Sequence, residues 1–177
     1  MNRNKYKMMA TIGVLTALSV ILSYIKLPII PPPFAFLTLE FADVPMVVAL
    51  LLYGPVPALV ISVLRNLLSL IITDSMGIGV LANLILDGVF LLAYALTWRA
   101  GRKPIKALII ACVSTVLASI FFNFAVFIPL YRFVGMYPEG VPAWYYIAAG
   151  LLPLNLVKWP LMSVLGYWLH KPVRRLA

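Results

Sequence analysis

One cysteine, one histidine and five acidic residues are all that this 177-residue chain holds of the groups that most often build metal and catalytic centres. A lone Cys112 excludes an intrachain disulfide and a thiolate metal cluster. A lone His170 excludes a multi-histidine site, so no metal centre is expected. No G-x-x-x-x-G-K-[ST] phosphate loop occurs, which argues against ATP hydrolysis by this chain. Neither a Ser/His/Asp nor a Cys/His set is available for nucleophilic catalysis, and the chain reads as a non-enzyme. Charge is scarce as well: at 11% of residues it cannot cover a soluble surface of this size.

Apolar residues are abundant instead, at 64% with a mean hydropathy of +1.05. A bilayer-crossing helix needs about 20 mostly apolar residues. The length therefore allows about six crossings with short loops and no separate soluble domain. We expect an all-α polytopic integral membrane protein, a single membrane domain over 1–177, with helices at about 8–24, 41–53, 58–72, 80–98, 107–130 and 144–170. Pro31-Pro32-Pro33 marks a structured first loop, and Gly54-Pro55-Val56-Pro57 a tight turn. Residues 1–25 resemble a signal peptide, but Ser23-Tyr24-Ile25-Lys26 offers no small-x-small cleavage site, so the first helix is read as retained.

The net charge of +9 does not point to nucleic acid, because of where the charges fall. Arg3, Lys5 and Lys7 precede the first apolar run; Arg99, Arg102, Lys103 and Lys106 share one loop; Lys171, Arg174 and Arg175 close the chain. Six crossings put all three clusters on one face, which the positive-inside rule makes the cytoplasm, with both termini there. The other face holds Lys26, Glu40, Asp43, Asp74, Arg132 and Glu139. Trp144, Tyr145 and Tyr146 suit an outer aromatic belt and Trp168 an inner one. No internal repeat is evident, which disfavours an inverted-repeat transporter.

An ionisable group inside a bilayer needs a reason to be there. Three are read as deep: Arg65, Asp87 and Lys158. With Asp87 taken as the only deep acid, a carboxylate proton relay is not expected. Arg65 and Asp87 suit a structural ion pair between neighbouring helices, with Asn66 or Asn83 as a bridge. Asn155 and Lys158 are three apart and share a helix face, bracketed by Pro153 and Pro160. No acid in that helix can neutralise Lys158, so it must find a carbonyl, a distant acid or a ligand. Asn123 is a further buried amide. Amides, one lysine and many aromatics suit a planar polar heterocycle. On the first helix, Gly13 and Ala17 form a small-xxx-small face that lets another helix approach closely.

Six segments stand together in order along the chain: Leu39-Glu40-Phe41-Ala42-Asp43-Val44-Pro45, Leu52-Tyr53-Gly54-Pro55, Arg65-Asn66-Leu67-Leu68, Ala82-Asn83, Asn123 with Ile128-Pro129, and Gly150-Leu151-Leu152-Pro153-Leu154-Asn155-Leu156-Val157-Lys158. In this order and spacing they resemble riboflavin-specific S components of energy-coupling factor (ECF) transporters. Arg65 stands where lysine is commoner. The resemblance implies a six-helix S component in a prokaryotic cytoplasmic membrane that binds riboflavin near the outer face. It implies flavin contacts from Asn83, Asn123, Asn155 and Lys158, and from the backbone of the first loop over about Phe36 to Ala42, at Phe36, Leu39, Glu40, Phe41 and Ala42. It implies docking through Gly13 and Ala17 onto a transmembrane coupling subunit served by two ATPases. No resident cofactor is implied: riboflavin or FMN is cargo, and ATP is used by the partners. The residues alone leave open another vitamin or flavin (FMN, pantothenate, biotin), or a structural membrane subunit with no small ligand.

Overall fold

The computed structural model describes residues 3–32, 34, 37–71 and 76–176. Among them, six helices dominate: α1 (Arg3–Ser23), α2 (Val44–Tyr53), α3 (Pro55–Ser69), α4 (Ile78–Arg99), α5 (Pro104–Phe133) and α6 (Ala143–Arg175). They pack as a ring in the order α1, α2, α6, α5, α4, α3 and back to α1, with α2 also touching α3. α1, α4, α5 and α6 are long and apolar enough to cross a membrane. α2 and α3 have 10 and 15 residues. At 1.5 Å per residue neither spans the ~30 Å of a hydrocarbon core.

The short α2 is nevertheless the most enclosed element, with Val44 through Leu50 all buried. A helix that is apolar all round is stable only when other elements surround it. It begins at Val44 rather than near Phe41, because Asp43 takes the position before the helix and Pro45 occupies its first turn. The turn expected over 54–57 narrows to Gly54, whose φ of 93° favours glycine. Pro55 and Pro57 enter the first turn of α3, where a missing N–H costs no bond. Pro104 starts α5 ahead of the expected 107 for the same reason.

One ridge of α5 carries Ala107, Ala111, Thr115 and Ser119, all fully buried. Their small side chains let α4 pack closely, and the same four-residue step ends at Asn123. α6 meets α2 at Gly166, where an added Cβ would lie 2.5 Å from Val47 Cγ1 and 2.7 Å from its Cβ. The β-branched Val47 cannot swing away without moving its backbone. Gly166→Ala is therefore expected to cost about 1–3 kcal/mol, read as a lower melting temperature in detergent. Val47→Ala in the same chain should recover most of it.

The α1–α2 connection pairs Lys26–Leu27 with Leu39–Glu40 as two antiparallel strands, Lys26 opposite Glu40. Phe34 of this connection is buried 5.5 Å from the ring of Tyr146 and 5.6 Å from that of Tyr145. Gly150 seats it: a Cβ there would stand 3.0 Å from Leu37 Cδ1 and 3.1 Å from Phe34 Cγ. Tyr146 is thus an interior residue and not part of an outer aromatic belt. Trp144 and Tyr145 are exposed.

Candidate functional site

Both long helices break their ladders beside the site. α5 widens into a π turn at Asn123–Phe127 and α6 at Tyr146–Leu151. In each case a proline follows, Pro129 and Pro153, which cannot donate to the carbonyl four residues back. Such π turns recur at functional positions because they turn side chains out of the regular spiral.

These segments, the first loop and the start of α4 enclose a cavity of about 720 Å³. That size suits a drug-sized or cofactor-sized molecule. Glu40, Asn83, Asn123, Asn155 and Lys158 all line it, so residues distant in the chain converge on one space. Tyr24, Tyr131, Tyr146 and Met136, none of which stood out in the sequence as site residues, add aromatic and apolar surface.

The remaining predicted residues fall elsewhere. Leu39 is buried in the cluster of Phe34, Val44 and Tyr146, and Phe41 packs against that cluster. Ala42 is fully buried, and its carbonyl accepts a hydrogen bond from the Ser19 hydroxyl. None of the three lines the cavity. Side chains alternate along the extended Leu39–Glu40 pair, so one turns to the packed interior while the next faces the cavity. Phe36 lies outside the described residues. Gly13 and Ala17 sit on the outward face of α1, away from the cavity, with nothing within 4 Å of a Cβ built on Gly13.

Each asparagine is held by its own helix. Asn123 Nδ2 donates to the Ser119 carbonyl at 2.8 Å, and Asn155 Nδ2 to that of Leu151 at 2.9 Å. Asn155 Oδ1 also accepts from Trp159 Nε1 at 3.1 Å, and Trp159 stacks on Phe90 of α4 at 4.9 Å. The Asn155 amide is therefore locked in one orientation.

Behind the cavity lies a buried ion network. Arg65 donates through Nη2 to Asp87 Oδ2 at 2.6 Å and through Nη1 to Asp43. Ser62 at 2.6 Å and Asn66 at 3.3 Å donate to the same Asp87 oxygen. Lys158 Nζ stands 2.9 Å from Asp43 Oδ2 and 3.5 Å from Asn83 Oδ1. One sequence expectation changes here and one is narrowed. Asp87 is not the only deep acid, since Asp43 is also fully buried. Of the partners open to Lys158, a distant acid meets it. Asp43 makes no side-chain bond to the first turn of α2; its carboxylate turns to the two cations instead. Glu40 lies nearer the surface, 4.0 Å from Lys26. Burial raises its pKa above the ordinary value, while the charge of Lys158 opposes the rise.

Residues 7–169 match the family described as "ECF transporter, substrate-specific component". The chain is similar to the riboflavin transporter RibU of Staphylococcus aureus (strain TCH60), with 32% identity over 100% of this chain and 94% of that protein. It is similar to the riboflavin transporter FmnP of Bacillus subtilis (strain 168), with 27% identity over 90% of this chain and 88% of the relative. Its fold resembles a solved chain from "Structure and mechanism of the S component of a bacterial ECF transporter", with a TM-score of 0.79 and 29% identity over 97% of this chain and 98% of the other.

Proposed function

The chain belongs to the family of ECF transporter substrate-specific components, and from that membership we propose that it captures riboflavin for uptake across a prokaryotic cytoplasmic membrane. The observation that carries this reading is the convergence of Asn83, Asn123, Asn155 and Lys158 on one 720 Å³ cavity walled by tyrosines. A flavin presents a flat ring with an imide edge and a polyol tail. Asn123 keeps its Oδ1 and one N–H beyond the bond to Ser119, so it can match an imide donor and acceptor. Lys158 and the remaining N–H of Asn155 can donate to ring carbonyls. Tyr24, Tyr131 and Tyr146 offer apolar faces to the ring, and Thr38, Glu40 and Ser69 can bond hydroxyls of the tail.

In this reading the basic ends at Lys5, Lys7 and Arg174 keep both termini in the cytoplasm, and the cavity opens on the outer side. The outward Gly13–Ala17 face of α1 docks onto the transmembrane coupling subunit, and two ATPase subunits supply the energy. The chain itself performs no catalysis and holds no resident cofactor; it binds, orients and shields the cargo.

Titration of riboflavin into the purified, detergent-solubilised chain tests the proposal. We expect saturable one-to-one quenching of flavin fluorescence, and no displacement by pantothenate or biotin. A melting temperature unmoved by riboflavin would instead favour a structural subunit without a small ligand.

A further inference from the structure

Every cation that lines the cavity is already matched by an acid. Lys158 stands against Asp43, and Arg65 is shared by Asp43 and Asp87. Lys26 faces Glu40 near the surface. Tyr24, Tyr131 and Tyr146, which also line the space, add hydroxyls and no cation. The group of six charged side chains is neutral as a whole. The first turn of α4, at Gly79 and Val80, adds at most about half a positive charge from its helix dipole. A phosphate monoester carries roughly 1.5 to 2 negative charges at pH 7. Among the described residues, no net charge in this wall compensates such a group for its lost water.

Asp43 is the residue on which this balance turns. It is fully buried, lies outside the cavity wall, and among the described residues is the one acid that touches both Lys158 and Arg65. We propose that Asp43 determines ligand charge: by neutralising Lys158 and Arg65 from behind the wall, it makes the site accept a flavin with an uncharged tail and reject one ending in phosphate. This rests on the flavin reading given above. Asp43 acts through Lys158 and is a positioning residue, not a contact. Without its charge, Lys158 and Arg65 would share Asp87 alone, and the site would carry one net positive charge.

The experiment compares dissociation constants for riboflavin and FMN in the full chain and in Asp43→Asn, Asp43→Glu and Asp87→Asn. The parent should prefer riboflavin at least tenfold. Asp43→Asn should shift the FMN-to-riboflavin ratio toward FMN by roughly a hundredfold, the size expected for one unit charge acting on a phosphate of about 1.5 to 2 charges over about 10 Å at an effective dielectric constant of about 20. Asp43→Glu keeps the charge and should keep the parent ratio, whereas simple disruption of packing would move both ligands together. Asp87→Asn makes the same charge change through Arg65 and decides the matter if Asp43→Asn does not fold. A parent that binds FMN as tightly as riboflavin, or an unchanged ratio in the neutralised variants, overturns the role of Asp43 alone. A parent that binds neither flavin overturns the flavin reading, and this inference with it.

Discussion

Arg65→Ala should lower the stability of the folded chain by about 3–5 kcal/mol, the usual cost of removing one partner from a buried ion pair. Arg65 is 3% exposed, and its two terminal nitrogens each hold a fully buried aspartate. Among the described residues, alanine would leave Asp87 with Ser62 and Asn66 as its donors, and Asp43 with Lys158. Arg65→Lys should cost less but not be neutral. A single ammonium cannot reproduce a planar fork that addresses two carboxylates in fixed directions. Thermal unfolding in detergent, monitored by size-exclusion fluorescence, reads both variants. If Arg65→Ala melts within a degree of the parent, the network does not hold α2, α3 and α4 together as described.

Lys158→Ala should weaken riboflavin binding by an order of magnitude or more while leaving a folded chain. The lysine lines the cavity, and its ammonium is held by Asp43 and Asn83 so that it points to a fixed place. A preorganised charged donor in a space shielded from water is worth more than a mobile one. Its loss leaves Asp43 still bonded to Arg65, so the stability penalty should fall well below that of Arg65→Ala. Fluorescence titration of the variant gives the affinity, and the ligand-free melt gives the stability. Normal flavin affinity in this variant would remove Lys158 from the site.

Much of the site could be read ahead of the structure because each residue broke a local rule. Asn123, Asn155 and Lys158 are polar groups within strongly apolar runs, and no water is available there to excuse them. Asp43 broke no such rule, since it sits where a loop meets a helix and an acid is ordinary. A signal for it did exist. Asp43 and Arg65 each lie eleven residues from Gly54, the tight turn between α2 and α3. Two helices folded back at Gly54 must bring those residues to the same height. The wholly apolar Val44–Leu50 segment also shows that the start of α2 cannot face water.

The cavity's other walls had no comparable signal. Tyr146 looked like an interfacial aromatic because Trp144 and Tyr145 beside it are. The π turn at Tyr146–Leu151 rotates it inward, and that turn depends on how α6 accommodates Pro153. Leu39, Phe41 and Ala42 share a segment with Glu40, expected to act through its backbone, and sequence proximity alone did not say that Glu40 is the one of these four beside the ligand space.

The order of residues along the chain determined the solvent in which this protein folds, the number of its helices and the identity of its buried amides. Those properties follow from composition and periodicity within single segments, which need no knowledge of neighbours. The tertiary structure alone decided that Lys158 meets Asp43 and that the cations around the cavity are balanced. Such pairings depend on how six helices close into a ring, because Coulomb attraction and hydrogen bonding act over a few ångströms of space and are indifferent to separation along the chain.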